Sequence, residues 1–184
     1  MPDNDRLIRQ CQKKSRKAFD ELYRTYSGLV FGICLRYAKN RTEAEDLLQD
    51  CFIKVIDKIE YYRFEGSFEG WLRRLTVREA INSLRANRNL CIEELREEQL
   101  TETDSINNSI IKQMNAEDIL AIIDTLPTGY KTVFNLFAIE GYPHKEIAEM
   151  LGCSESTSKS QYLKAKKALV ERLHKRNDKN EREF

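Results

Sequence analysis

Three groups of side chains in this 184-residue chain have the types and spacing to do chemistry, and all three suit binding. The first is a run of lysines, Lys159, Lys164, Lys166 and Lys167, and the second is a set of arginines, Arg73, Arg74, Arg78, Arg85 and Arg88. Clustered cations of this kind neutralise phosphates and release counterions from nucleic acid. Between them lie Glu93, Glu94, Glu97, Glu98, Glu102 and Asp104, so two basic segments flank an acidic one. The formal net charge of only +1 conceals this division. In the third group, Asp46, Gln49, Asp50 and Ile53 recur at i, i+3, i+4 and i+7, which puts them on one helix face. A mostly acidic stripe with one apolar member suits docking to a basic partner.

Catalytic and metal chemistry find little support. Glu43, Glu45, Asp46 and Asp50 could hold Mg²⁺ in a metal-dependent nuclease, but they are strung along one regular helix with no second acidic cluster in register. Cys11, Cys34, Cys51, Cys91 and Cys153 are odd in number and widely spaced, with no C-x-x-C pair and only His144 and His174 as imidazole partners. No metal site is indicated. Cys34, Cys51 and Cys153 fall among apolar residues, where a reduced thiol acts as a small hydrophobe, which fits a reducing cytoplasm. No apolar run long enough for a signal peptide or a membrane span occurs.

The elements that must position these groups are helical. Phe19, Leu22, Tyr23, Tyr26, Val30, Ile33, Cys34 and Tyr37 predict one or two helices over about 16–39, interrupted near Ser27-Gly28. Thr42 and Glu45 have the spacing of a capping box, and Ala44, Leu47, Leu48, Cys51, Phe52, Val55, Ile56 and Ile59 form an apolar seam behind them. The stretch from Tyr61 to Gly70, with two glycines and close aromatics, predicts a loop. A helix follows from about Ser67 to Asn87, burying Trp71, Leu72, Leu75, Ala80, Ile81 and Leu84. From Asn89 to Asn115 Glu, Thr, Asn and Ser dominate, the signature of a flexible acidic linker. Beyond it, Ile119 to Leu126 and Val133 to Ile139 are helical runs ended by Pro127 and Gly141.

Tyr142 to Leu169 then reads as a helix, a glycine turn and a second helix at helix-turn-helix spacing. Pro143 fits a first helical position, Ile147, Ala148 and Leu151 fit a buried face, Gly152 permits the turn, and Ser154 can cap the next helix. The result is an all-α chain of two small helical domains, 1–88 and 116–184, joined by a linker over 89–115. The composition agrees: 41% hydrophobic and 33% charged residues with seven Gly and three Pro.

Ala44-Glu45-Asp46-Leu47-Leu48-Gln49-Asp50, Gly66-Ser67-Phe68-Glu69-Gly70-Trp71-Leu72 and the terminal helix-turn-helix, in that order over about Phe19 to Leu173, closely resemble the extracytoplasmic-function sigma factors of the sigma-70 family. The resemblance implies a non-catalytic subunit that directs RNA polymerase to promoters, with no cofactor. Its first domain would bind the clamp of the largest polymerase subunit and open the −10 element, and its second would read the −35 element. Asp46, Gln49, Asp50 and Ile53 would then be the polymerase-binding stripe. Tyr62, Arg63, Phe64, Glu65 and Ser67, with Arg74 and Arg78 on the next helix, would hold −10 DNA, where aromatics and arginines suit unstacked bases and phosphates.

Thr157, Lys159, Ser160, Gln161 and Lys164 match the exposed face of the family's recognition helix, with lysines on phosphates and Gln161 on a base edge. The resemblance names core RNA polymerase and promoter DNA as partners and admits an anti-sigma factor. This chain departs from the family at Tyr62, where Phe is common, at Phe64, where Gly is common, and at Arg78, often Asn. Ser158 replaces a usual Val and Gln161 a usual Arg. The alternative, a stand-alone helix-turn-helix regulator, would need a sensing or dimerising domain where this chain has the aromatic, arginine-bearing loop and the acidic stripe.

Overall fold

The computed structural model describes residues 2–86 and 121–180, with side chains over 4–86 and 121–172. The expected linker over 89–115 lies outside the described residues. The chain divides into two compact units, Met1–Arg88 and Asn89–Phe184, and every regular element among the described residues is helical.

In the first unit α1 (Pro2–Gln12), α2 (Arg16–Tyr37), α3 (Arg41–Lys58), a 3-10 turn (Ile59–Tyr61) and α4 (Phe68–Ala86) pack around one core. Nothing before Arg16 is expected to be helical from the sequence, yet α1 forms and buries Leu7, Ile8 and Cys11. The phenol of Tyr26 donates to Asn4 Oδ1 at 2.9 Å and helps hold α1 on α2. The expected interruption at Ser27-Gly28 does not occur: α2 runs unbroken through it. A helical glycine costs about 1 kcal/mol. Burial of the Val30 and Ile33 side chains on the same helix contributes about 1.5–3 kcal/mol each, so continuation wins.

The cap of α3 is Asn40 rather than Thr42: Glu43 N–H donates to Asn40 Oδ1 at 2.8 Å, and Lys39 N–H donates to Glu43 Oε2 at 3.0 Å. The reciprocal logic of a capping box holds, two residues earlier than expected. Along α3, Ala44, Leu47, Leu48, Cys51, Phe52 and Val55 are buried, whereas Ile56, expected in the same seam, is 51% exposed. On α4, Leu72, Val77, Ala80, Ile81 and Leu84 are buried, with Trp71 and Leu75 half-buried. Cys11, Cys34 and Cys51 are wholly buried and serve as small hydrophobes, while Cys153 is half-buried.

The second unit contains a helical segment at 121–124, α5 (Thr128–Phe134) continuing into a π turn (Asn135–Ile139), then α6 (His144–Leu151) and α7 (Glu155–Asn180). Gly141 takes φ +77° where the chain turns toward α6. Pro143, expected at the first helical position, stands one residue before it at the N-cap and makes no side-chain cap hydrogen bond. Gly152 ends α6 at φ +69°, the left-handed conformation that glycine adopts without a Cβ clash, and Cys153 N–H closes the turn on Ala148 O. Ser154 caps α7, its Oγ accepting from Thr157 N–H at 3.0 Å. Ile147, Ala148 and Leu151 face Ser158, Gln161 and Ala165 in a core shared with Val133 and Leu136.

One polar contact joins the two helices of this motif. His144 Nδ1 lies 2.9 Å from Ser158 Oγ, and the imidazole stacks on Phe137 with centroids 4.2 Å apart and planes 11° from parallel. Burial, reinforced by the charge of Lys159, holds the His144 pKa below its ordinary value.

Two measurements check these local arguments. Asn40→Ala is expected to cost about 1 kcal/mol and lower the thermal unfolding midpoint of the first unit, while Thr42→Ala, outside the cap, costs less; equal losses would place the cap elsewhere. For His144 the depressed folded-state pKa means that the unfolded chain takes up the proton first as pH falls. Stability is therefore complete above about pH 6.5, the unfolded value, and declines below it until the folded protein also protonates. Thermal unfolding between pH 8 and pH 5 is expected to show a steeper acid-side loss for the wild-type second unit than for His144→Gln.

Candidate nucleic-acid interface

The acidic stripe is built as its spacing requires. Asp46, Gln49, Asp50 and Ile53 are all exposed, with Ile53 at 54%, and they lie opposite the buried Leu47, Leu48 and Phe52. Exposed Ile56 and Asp57 extend the same face by another turn. Neither was identified from the sequence. Their signal was the continuation of the stripe three and four residues beyond Ile53, which the seam assignment of Ile56 obscured.

The loop between the 3-10 turn and α4 is tightly held. Tyr62 is 5% exposed, its hydroxyl donates to Gly66 O at 2.9 Å, and its ring packs on Phe64, Phe68 and Trp71 at centroid distances of 5.0, 5.3 and 5.6 Å. Tyr62 therefore shapes the loop from inside and does not stand out from it. Arg63 and Glu65 are exposed, and Phe64 is half-buried at φ +62°. Gly66, at φ +89°, completes the bend. Exposed Ser67 caps α4 by accepting from Gly70 N–H at 3.1 Å. Arg74 and Arg78 are both exposed, one helical turn apart, and among the described residues neither is held in an ion pair, whereas Arg73 is paired with Glu69 at 3.0 Å. Two guanidiniums beside a bent aromatic loop are available to phosphates and bases.

On α7 the expected reading face is rotated. Gln161 is 1% exposed and Thr157 9%, so neither side chain lies on the exposed face anticipated for them. Both point toward α5 and α6, because the buried positions of α7 run through Thr157, Ser158, Gln161 and Ala165 at one helical period. The outward face comprises exposed Ser156, Lys159 and Lys167, with half-buried Ser160, Leu163, Lys164 and Lys166. Ser160 Oγ donates to Thr157 O at 3.0 Å, and Lys159 pairs with Glu155 at 2.7 Å. Lys167 belongs to the lysine run read from the sequence, whereas Ser156 and Leu163 on this face carry no signal in that reading. Tyr162, Leu163 and Leu169, apolar as they are, are only half-buried.

Among the described residues no helix is long and apolar enough to cross a membrane. Comparison with known proteins places these surfaces in a family. The family model for Sigma-70 region 2 matches residues 22–90, and that for Sigma-70 region 4 matches residues 116–169. The chain is 28% identical over 177 residues to the ECF RNA polymerase sigma-E factor of Haemophilus influenzae, covering 91% of this chain and 93% of that one. It is 30% identical over 161 residues to the ECF RNA polymerase sigma factor SigE of Mycolicibacterium smegmatis, covering 86% of this chain and 62% of that longer protein. Among solved structures, the sigma factor RpoE of Bartonella quintana, crystallised with the anti-sigma factor NepR, shares the fold with a TM-score of 0.51 at 19% identity, over 86% of this chain and 98% of that one. With region 2 over the acidic stripe and aromatic loop and region 4 over the helix-turn-helix, the chain belongs to the extracytoplasmic-function RNA polymerase sigma factors of the sigma-70 family.

Proposed function

We propose that this sigma factor docks on the clamp of core RNA polymerase through the α3 face formed by Asp46, Gln49, Asp50, Ile53, Ile56 and Asp57. The observation that carries the assignment is the separation of faces on one helix: every seam position from Leu47 to Val55 is buried while the acidic positions between them are exposed. Carboxylates steer a basic partner, and two exposed isoleucines supply the apolar contact that charge alone does not. The loop from Arg63 to Ser67, with Arg74 and Arg78, takes the single strand of the −10 element. The outward face of α7 takes the −35 element, with Lys159, Lys164 and Lys167 on phosphates and Ser156 and Ser160 nearest the base edges. The domains follow the same division, 1–88 and 116–184, and the factor positions polymerase without catalysing a reaction, in the cytoplasm where promoters are. An anti-sigma factor, the kind of partner named with the Bartonella neighbour, would compete for these surfaces.

Transcription in vitro with core polymerase and a library of random promoters tests the whole assignment, since active templates report both elements at once. A helix-turn-helix regulator acting alone would neither co-purify with core polymerase nor initiate on any template.

Charge reversal separates docking from folding. Asp46→Arg with Asp50→Arg is expected to weaken core binding by at least about tenfold through like-charge repulsion. Exposed positions should leave folding stability within about 0.5 kcal/mol of wild type. A double variant that stays folded and binds core tightly removes the stripe from the docking role. In the second unit, Lys159→Ala and Lys167→Ala are each expected to reduce the salt dependence of promoter binding by about one phosphate contact. Gln161→Ala, an interior change, is expected instead to cost on the order of 1 kcal/mol of stability without a selective change in promoter preference.

A further inference from the structure

Helix α1 lies outside both matched family regions, and neither the docking face nor the arginines of α4 involve it. It is nevertheless bound to the loop that is assigned to the −10 strand. Gln12 Nε2 donates to two carbonyls at the entry of that loop, Ile59 O at 3.0 Å and Tyr62 O at 2.9 Å. One turn earlier on the same helix, the Arg9 guanidinium lies over the Phe64 ring, 4.2 Å from its centroid, within cation–π range. The ring of Tyr62 closes on Phe64 from another side at 5.0 Å.

Phe64 is the residue in this loop whose backbone needs such support. It holds φ +62°, a left-handed conformation that bulky L-residues rarely adopt and that persists only where surrounding contacts over-determine it. Glycine would hold that conformation without strain. A large aromatic side chain kept there against the backbone preference, half-buried and clamped by an arginine from a different helix, is placed for a contact that glycine cannot make.

We propose that Arg9 and Gln12 are positioning residues for −10 recognition: α1 splints the loop, and Arg9 fixes the Phe64 ring as a stacking platform for an unpaired base of the promoter strand. This rests on the assignment of the Arg63–Ser67 loop to −10 DNA. Arg9 acts through the ring, not on a phosphate, and Gln12 acts through the loop backbone. The N-terminal helix thereby sets how the factor discriminates at one −10 position, and the phenylalanine makes that position prefer bases that stack well.

The test uses holoenzyme assembled from the full chain and core polymerase, with a fluorescent pool of single-stranded DNA of randomised sequence as the probe. Binding is measured across a salt series, and bound sequences are read out. Arg9→Ala is expected to weaken binding about threefold to fivefold, with an unchanged salt slope and a relaxed preference at one base position. Arg9→Lys should retain most of the binding. In a Phe64→Gly background, itself weakened, Arg9→Ala should have no further effect. Arg9→Ala should leave the first unit folded, with at most a small drop in its unfolding midpoint, because this side chain is exposed. An equal loss from Arg9→Ala in both backgrounds, or a flattened salt slope, would show a direct phosphate contact and overturn the proposal, as would wild-type binding by Arg9→Ala. Exchange of Arg63, Phe64 and Glu65 for glycines tests the underlying assignment: unchanged binding by that variant rejects the loop as the −10 site, whereas lost binding together with a silent Arg9→Ala rejects only the role of α1.

Discussion

Burial of one face of α3 against α2 and α4 is the constraint on which the surfaces of the first unit depend. Leu47, Leu48, Cys51, Phe52 and Val55 can reach the core only if the helix turns Asp46, Gln49, Asp50 and Ile53 to water. The apolar seam thus fixes the direction of the acidic face without any contact to it, and the proposed docking residues owe their exposure to the burial of their neighbours. Apolar burial at about 25 cal/mol per Å² across such a seam outweighs surface electrostatics of a few tenths of a kcal/mol. Charges on the outer face can accordingly diverge to suit a partner while the fold stays the same.

The second unit follows the same rule with polar residues in the interior. Ser158 is wholly buried, and a buried hydroxyl needs a hydrogen-bond partner. His144 supplies it from α6. The pair places a directional contact between the two helices and brings a titratable group into their joint. Gln161 illustrates the reverse limit. Its amide type suggested a base contact, but the helical phase set by Thr157, Ser158 and Ala165 carries it inward. Phase is decided by what packs, and residue type cannot override it.

The sequence made legible what depends on strong periodicity and strong turn chemistry: α3 and its two faces, the Gly152 turn, the Ser154 cap and the all-helical class. It misled where two local signals competed within a residue or two. Ile56 satisfies the spacing of both the seam and the stripe, and only the end of α3 beside the 3-10 turn leaves it exposed. Thr42 and Asn40 are both competent caps, and the choice rests on where Glu43 can return to the backbone at Lys39. Helix α1 gave little signal because three buried side chains, Leu7, Ile8 and Cys11, make a short stripe among charges, and its stability comes from α2 and the loop that it contacts. The loop itself could be recognised as a loop. That Tyr62 would turn inward and Phe64 stay near the surface depends on long-range contacts from α1 and α4 that no local pattern encodes.

A loop proposed to receive an unstacked base faces an entropic problem, because ordering a flexible segment at the moment of binding subtracts directly from affinity. In this protein much of the ordering is complete in the free fold. Tyr62 is bonded to Gly66 across the bend, Ser67 caps the helix that follows, and Gln12 holds the entry strand by two carbonyls. Within the loop, strain is confined to Phe64, where aromatic and cationic contacts offset it. On the proposed assignment such a loop would capture a base without first finding its shape, and the cost of that shape is met by packing that forms when the domain folds. On the same proposal, discrimination at the −10 element becomes a property of the first unit as a whole, shared among the face of α1, the bend and the arginines of α4, so that a change in any of them would alter which promoters open.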